Sequence, residues 1–328
     1  MSIVDFLIYF RIFVVEFYIE SSQDRKSLYC HYVLFLCLQI DKIMQQRIST
    51  REDYQKLINL MVEYINNHLG ENIDLDTLAS ISHFSPYHCY HIFKAFLGEP
   101  LWAYVMRMRV ETAACLLRYS DMSVQDIAYK VGYDTPSSLS KVFKQFYCIS
   151  PIDFRNNKIY TIMKPIQINE DLKLKERIVE LEPLQVIYIH LTGSYESIDY
   201  DSAFRKLWAY VKEAGLFSAG IKSISIYHDD PKVTKEDKLR TDVCLIIPKK
   251  AEPKGEIGVK QIPGGKYAAY LYQGPYNNLG MVYDTIYHKY IPDGGYQLTL
   301  NLGFEMYLNN PDRVAPEKIK TEIFIPIL

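Results

Sequence analysis

The 328-residue sequence lacks closely spaced cysteines, long apolar runs and a bias of charge. Its cysteines form no Cys-x-x-Cys pair and no regular spacing, which argues against a zinc cluster or a disulfide scaffold and favours a reducing, cytoplasmic compartment. A net charge of -2 indicates no class of partner by itself. The six cysteines are Cys30, Cys37, Cys89, Cys115, Cys148 and Cys244.

The first 43 residues differ in composition from the rest of the chain. Charged residues interrupt the apolar run at 3–19, and the run at 28–40 is far shorter than the ~20 residues of a membrane span. The segment has neither the basic start nor the small-residue cleavage site of a signal peptide. We expect translated upstream sequence with Met44 as the true start; the alternatives are a membrane-associating appendage and a helical extension packed on the body. We expect no stable membrane association.

A repeat with an offset of 49 or 50 residues defines the next part of the chain. Each copy reads as a short helix, a turn and a second helix, and Ser85-Pro86 has the pattern of a capped helix start. A continuous helix at 100–118 would span roughly 27 Å, which suits two recognition helices about one DNA turn, ~34 Å, apart. The matching positions are Leu78-Ala79, Phe84 and Phe93-Lys94 in the first copy, and Ile127-Ala128, Tyr133 and Phe143-Lys144 in the second.

These motifs resemble the DNA-binding domain of the AraC/XylS regulators over about a third of the chain. The resemblance implies a sequence-specific DNA-binding transcription regulator with two helix-turn-helix units. One departure is Cys148, where the family usually has glycine. The motifs are Phe93-Lys94 with Gly98, Tyr104-Val105 with Arg107 and Arg109, Val131-Gly132-Tyr133, and Ser150-Pro151-x-x-Phe154-Arg155.

The outward positions of the two recognition helices are the predicted DNA contacts. Tyrosine and histidine can bond base edges or contact a thymine methyl group, and Lys141 and Lys144 suit phosphate or guanine. Lys141 is the strongest single candidate, and the alternative is that these are ordinary exposed helix residues. The predicted set is Tyr87, Tyr90 and His91 on the first helix, and Pro136, Ser137, Ser140, Lys141 and Lys144 on the second.

Two further observations limit this interpretation. His88 and His91 are three residues apart but lack a neighbouring ligand at zinc spacing, so we predict no metal site. Residues 44–158 contain 12 basic and 12 acidic side chains, while residues 94–158 contain nine basic and six acidic ones. We therefore expect modest non-specific DNA affinity that falls steeply with salt.

The second half of the chain changes to strand patterns that occur twice in the same order. Strands are predicted at 186–191, 221–227 and 243–247 around a helix at 200–214, and again at 267–272, 297–307 and 321–327 around a helix at 278–290. Two strand-helix-strand-strand units in tandem predict an α+β domain with pseudo-twofold symmetry and a cleft where the halves meet.

This half resembles the GyrI-like, or SOUL-type, effector-binding domain. The resemblance implies a cleft for small molecules, often amphipathic cations, with the acidic residue of the Phe-Glu-x-Tyr motif as their charge partner. The motifs are Gly193-Ser194-Tyr195, His228-Asp229-Asp230-Pro231, Ile262-Pro263-Gly264-Gly265-Lys266-Tyr267-Ala268, Gly274-Pro275-Tyr276, Phe304-Glu305-x-Tyr307 and Thr321-Glu322-Ile323-Phe324-Ile325-Pro326.

Alternation along 297–307 independently predicts a role for Glu305. Every second residue from Leu298 to Met306 is apolar, and we expect the face that these residues share to pack on the helices. Glu305 and Tyr307 then lie on the opposite face, toward the cleft. Aromatic walls and one carboxylate suit a flat or cationic ligand. The alternative is a solvated glutamate on an exposed sheet face. Weaker candidates for effector binding are Tyr195, Trp208, Tyr227 and Tyr270.

The sequence as a whole predicts a multidomain, ligand-responsive regulator: a possible upstream extension at 1–43, an all-α double helix-turn-helix domain at 44–158, a linker at 159–174 and an α+β effector domain at 175–328. Expected partners are a double-stranded DNA operator, a small-molecule effector and RNA polymerase. No cofactor and no catalytic residues are predicted. Two alternatives remain open for the second half, a hydrolase and a protein-binding module like the gyrase inhibitors.

Overall fold

The computed structural model describes residues 51–157, 160–299 and 301–328. Residues 55–328 form one compact unit, so the helical part from 55 onward and the sheet belong to the same unit. The extension predicted at 1–43 lies outside the described residues, and the domain limits at 158 and 175 stay predictions. No helix in the described ranges combines the length and the apolar character that a membrane span requires.

The helical part contains the two helix-turn-helix pairs that the repeat predicts. α2–α3 and α5–α6 are the pairs, and α4 joins them. The side chain of Ser85 accepts a hydrogen bond from the backbone N–H of His88, and Thr135 does the same for Ser138, with proline at the first position of each recognition helix. The helices are α1 (helical over the described residues 51–67), α2 (Leu75–Ser82), α3 (Pro86–Leu97), α4 (Leu101–Tyr119), α5 (Val124–Lys130), α6 (Pro136–Tyr147) and α7 (Pro151–Asn156).

The turn after α6 keeps its shape although cysteine stands where the resembling family has glycine. Cys148 adopts the left-handed conformation with φ 60°, and Gly98 adopts the same conformation with φ 71° after α3. In both turns the backbone N–H of the capping residue donates to a lysine carbonyl one turn earlier. The departure therefore changes the backbone energy of the turn rather than its geometry.

We expect Cys148→Gly to raise the free energy of unfolding by about 1 kcal/mol. The left-handed conformation costs a non-glycine residue roughly 1–2 kcal/mol, and the greater entropy of glycine in the unfolded chain offsets part of that gain. Urea unfolding measures the change. Cys148→Ala is the matched control, because alanine keeps the Cβ atom; equal stability of the two variants would contradict the prediction.

The second part is one antiparallel sheet of eight strands in the order β1-β6-β8-β7-β3-β4-β2-β5. The two predicted halves meet where β3 pairs with β7, and Ser225 lies opposite Glu305 in that pair. The first strand of each half pairs with the other half, β1 with β6 and β5 with β2. The strands are β1 (Lys175–Leu181), β2 (Leu184–Thr192), β3 (Lys222–Tyr227), β4 (Arg240–Ile246), β5 (Ile257–Ile262), β6 (Gly265–Gln273), β7 (Phe304–Tyr307) and β8 (Lys320–Pro326).

Two helices cover one face of this sheet. α8 (Tyr200–Glu213) packs Leu207 against the first half, and α9 (Leu279–Thr285) packs Val282 against the second. α9 continues through a π-helical turn, Ile286–Tyr290, into Ile291–Asp293. Each half of the sheet therefore has its own apolar core beneath a helix.

The strand predicted at 297–307 was wrong in its length. Among the described residues of this range, Phe304–Tyr307 alone form a strand, and Leu298 contributes an isolated bridge to Ile327. The Thr299 hydroxyl accepts a hydrogen bond from the backbone N–H of Asn301 at 3.2 Å. Such a local bond competes with the ladder of a strand, which is why alternation alone overestimated the length.

The face assigned to the apolar side chains of β7 was also wrong. Phe304 and Met306 pack in a core cluster with Ile224 and Cys244, on the side of the sheet away from the helices. Glu305 and Tyr307 lie on the helical side. Both faces of the sheet are buried here, so alternation could separate the two sets of side chains but could not tell which set the helices cover.

β1 and β5 were missed by the sequence prediction. β1 is mostly exposed and contains Lys175, Glu176 and Arg177, and both strands lie at an edge of the sheet. Charged residues on edge strands hide the apolar alternation that identifies a strand.

Candidate DNA-reading faces and effector cleft

The first recognition helix, α3, buries one side and carries the residues predicted to read DNA on the other, where Tyr90 is half-buried. Cys89, Ile92 and Phe93 are buried, whereas Tyr87 is 76% exposed and His91 is also exposed. The ring of His91 lies 4.4 Å from that of Tyr87 and 5.3 Å from that of Tyr90. These three side chains form a single aromatic surface.

The second recognition helix, α6, has the same division. Leu139 and Phe143 are fully buried. On the opposite side Ser137, Lys141 and Lys144 are exposed, and Pro136 and Ser140 are half-buried. Since α4 has 19 residues and spans roughly 28 Å, the two outward surfaces can be held at about the spacing of successive major grooves.

Glu305 lies at the bottom of a cleft between α8 and α9 and is 1% exposed. The hydroxyl of Tyr307 donates to Glu305 Oε2 at 3.2 Å, and that of Tyr227 lies 3.4 Å from the same oxygen. Tyr283, on α9, provides a third hydrogen bond to the carboxyl group. Three tyrosines from β3, β7 and α9 therefore enclose one acidic group.

Burial raises the pKa of Glu305 to about 7, and the hydrogen bonds from the three tyrosines only partly offset this effect. The tyrosine hydroxyls stay protonated, because burial also raises the pKa of Tyr227, Tyr283 and Tyr307 well above the usual range. The cleft can thus be neutral or carry one negative charge near physiological pH.

Aromatic rings form the walls around Glu305. The ring of Tyr307 lies 5.7 Å from that of Tyr276 and 6.0 Å from that of Phe204 on α8. Sequence reasoning missed Tyr276 and Tyr283 as site residues. Tyr276 occupies the same position in its turn as Tyr195 does in the first half, so the repeat could have identified it as a candidate.

The other predicted effector residues lie in three different environments. Tyr227 belongs to the cleft, and Trp208 stands at its rim, 37% exposed and stacked on Phe217. Tyr195 packs edge-on against Tyr227 at 4.8 Å. Tyr270 was wrongly predicted to line the cleft: it is fully buried in the core under α9, with its ring 5.5 Å from Tyr290.

The cleft is part of a cavity of about 2580 Å³. Its lining includes Glu305, Tyr307 and Trp208, and also Glu111 and Tyr119 of the helical part. This volume exceeds the roughly 300–1,000 Å³ of an ordinary ligand site, so a small molecule would occupy only part of it.

A polar cluster lies on the other face of the sheet. The carboxylate of Asp242 contacts His190 Nδ1 at 2.6 Å, His228 Nε2 at 2.7 Å and the ammonium group of Lys260. Within the described residues, His190, His228 and Asp242 are the one group with metal-ligand spacing. The Lys260 ammonium already balances the Asp242 charge and helps to hold the pKa of this carboxyl well below its usual value, so we assign no metal here.

Similarity to known proteins follows the division into two parts. A family model described as "GyrI-like small molecule binding domain" matches residues 175–328, and one described as "Helix-turn-helix domain" matches residues 78–157. The chain is 33% identical over 105 residues to the "Probable transcription factor PqrA" of Proteus vulgaris, which covers 31% of this chain and 86% of that protein.

Longer similarities cover both parts. The chain is 23% identical over 288 residues to the "Right origin-binding protein" of Escherichia coli (strain K12), which covers 84% of this chain and 99% of that protein. A solved structure described as "Cryo-EM structure of EcmrR-DNA complex in EcmrR-RPo" is 17% identical, with a TM-score of 0.42, and covers 74% of this chain and 84% of that one.

Proposed function

Because the chain belongs to the AraC family of transcription regulators and carries a GyrI-like small-molecule binding domain, we propose that a cationic aromatic effector binds at Glu305 and changes the engagement of DNA. The observation that carries this proposal is the buried carboxyl group enclosed by Tyr227, Tyr283 and Tyr307. A ligand cation would pair with the carboxylate and lie against the tyrosine rings, where cation-π attraction is strongest once water is excluded.

The DNA contacts proposed are those of the two exposed helix surfaces, with Tyr87, Tyr90 and His91 on α3 and Lys141 and Lys144 on α6. Tyrosine and histidine read base edges, and the lysines contact phosphate or guanine. No described Arg faces outward on α3 or α6, so we do not expect the bidentate arginine-guanine contact to determine the operator.

We expect Lys141→Ala to weaken binding to DNA selected from a random-sequence pool by about tenfold, because a phosphate or base contact of this kind contributes roughly 1–3 kcal/mol. Tyr90→Ala should instead change the sequence that is selected. Fluorescence anisotropy with the labelled duplex and sequencing of the selected pool measure the two effects.

The matched control is Lys212→Ala, which removes an exposed lysine from α8. It should leave the DNA affinity and the selected motif unchanged. If all three variants behave alike, or if the wild-type protein selects no motif at low salt, the proposed reading surfaces are wrong.

The relatives named above are not described as enzymes, and we propose that this chain has no catalytic activity. A test is hydrolysis of activated esters by the purified protein; Glu305-dependent turnover would support the hydrolase alternative instead. We further propose RNA polymerase as the protein partner and the cytoplasm as the compartment, as befits a transcription regulator. A stoichiometric protein other than polymerase that co-purifies with the chain would favour a protein-binding role for the second half.

A further inference from the structure

The segment His228–Thr234, which follows β3, runs from the cleft into the DNA-binding half. It begins directly after Tyr227, whose hydroxyl lies 3.4 Å from Glu305. The hydroxyl of Tyr195, which packs against the Tyr227 ring, lies 3.0 Å from the Asp229 carbonyl and donates to the Arg240 carbonyl, also at 3.0 Å. A change in the cleft that moves Tyr227 or Tyr195 therefore acts directly on this segment.

Asp229 connects the segment to the first helix-turn-helix unit. Its carboxylate accepts two hydrogen bonds from the buried Arg240 guanidinium, at 2.7 and 3.0 Å. The remaining nitrogen of Arg240 donates to the hydroxyl of Tyr104, on α4, at 2.9 Å. The ring of Tyr104 in turn packs edge-on at 5.5 Å against Phe93, the buried side of the first recognition helix.

The rest of the segment contacts the C-terminal end of α4 and the second helix-turn-helix pair, α5–α6. The hydroxyl of Tyr119 donates to Asp230 Oδ2 at 3.0 Å. Val233 is fully buried in the core of this second helix-turn-helix pair, and its carbonyl accepts a hydrogen bond from the Tyr147 hydroxyl at 3.1 Å. Tyr147 is on α6, so the segment contacts the inner side of the second recognition helix directly, and it reaches that of the first through Arg240 and Tyr104.

These contacts leave the reading surfaces open. Tyr87 and Lys141 stay exposed, while Val233 packs beneath α6 and Arg240 bonds Tyr104, whose ring lies against the buried side of α3. An effector therefore need not uncover the DNA-binding surface; it needs only to change the spacing or tilt of α3 and α6.

We propose that the hydroxyl groups of Tyr104, Tyr119 and Tyr147 are the contacts through which the occupied cleft changes the placement of the two recognition helices. This inference rests on the proposed function in taking the Glu305 cleft as the effector site. Coupling of this kind is reciprocal, so DNA must change effector affinity by the same factor as the effector changes DNA affinity.

The test measures DNA affinity with and without tetraphenylphosphonium, an aromatic cation, for the full chain and for a triple variant with Tyr104→Phe, Tyr119→Phe and Tyr147→Phe. The variant keeps all three rings and loses only the hydroxyls. We expect the cation to change the DNA Kd of the wild-type protein by about fivefold or more, a usual size for allosteric coupling. The ratio of the DNA Kd values measured without and with the cation should fall below about twofold in the triple variant. The Kd for the cation itself should stay unchanged.

The matched control is Tyr210→Phe, which removes a buried hydroxyl that bonds the Glu252 carbonyl inside the effector half. It should keep the wild-type ratio. Each single variant at 104, 119 or 147 should reduce the ratio by less than the triple variant does, which keeps the test usable if the triple variant folds poorly. A triple variant with the wild-type ratio would overturn the inference.

A second arm separates this inference from the proposed function. If tetraphenylphosphonium does not bind, or binds equally to Glu305→Gln, the proposed effector chemistry is wrong. The coupling is then tested without a ligand, through Tyr227→Phe, which alters the cleft itself. Its effect on the DNA Kd should be present in the wild-type background and absent in the triple variant; an equal effect in both backgrounds, or none in either, would overturn the coupling.

Discussion

Replacing Arg240 by methionine should lower the free energy of unfolding by about 3–5 kcal/mol, because it leaves the charge of Asp229 buried without a partner. Arg240 is 3% exposed, and the side chain of Asp229 is 2% exposed. Pairing with Arg240 lowers the pKa of Asp229 below its usual 3.8 in spite of burial. The stabilisation is therefore present at neutral pH and is lost only as the pH falls below 3.8 through the folded-state value.

Urea unfolding of the full chain measures this loss. The matched control is Lys250→Met, which breaks an ion pair with Glu252 that is exposed on both sides, and it should leave stability unchanged. Adding Asp229→Leu to Arg240→Met removes the uncompensated charge and should recover much of the loss. If Arg240→Met alone unfolds at the same urea concentration as the wild-type protein, the pair contributes little to stability.

The second large effect is on the pH dependence of effector binding. Because the pKa of Glu305 is raised to about 7, the carboxyl group is mostly protonated at pH 5.5 and mostly charged at pH 8. A cation that pairs only with the charged form should bind roughly 30-fold more tightly at pH 8 than at pH 5.5. Calorimetry with tetraphenylphosphonium should also detect release of a proton on binding near pH 7.

The same titration has the opposite effect on the stability of the unliganded protein. Glu305 has a higher pKa when folded than when unfolded, so its favourable contribution is complete below pH 4.5 and is lost as the pH rises through about 7. The loss is on the order of 3 kcal/mol. Glu305→Gln should remove the pH dependence of cation binding and that of the free energy of unfolding. Glu180→Gln, an exposed control on β1, should keep both. Cation binding that does not vary with pH would contradict the assigned charge state.

The helical half was predictable because its information is local. Ser85 and Thr135 cap helices that begin with proline, and the buried stripes of α3 and α6 recur at helical spacing. Each of these signals acts within one or two turns of helix. The repeat then fixed the pairing of the helices, and the turn at Cys148 kept its geometry despite the substitution, since the surrounding helices determine it.

The duplicated order of strands and helices in the second half was also readable from the sequence, as was the acidic residue at its centre. The partners of Glu305 were only partly predictable. Tyr307 is two residues away on the same strand, but Tyr227 and Tyr283 come from elements that only the sheet order and the position of α9 bring together. The exclusion of Tyr270 likewise depends on which rings pack beneath α9.

The sequence by itself determined the two kinds of domain, the outward residues of both recognition helices and the placement of Glu305 and Tyr307 on the same face, since periodicity and capping depend on neighbouring residues. Only the tertiary structure decided which face of β7 the helices cover, the exchange of β1 and β5 between the halves, and the insertion of His228–Thr234 against α4 and α6. These features join residues far apart in the chain, 136 positions for Arg240 and Tyr104. Their energies come from packing and burial of charge, which no local pattern records.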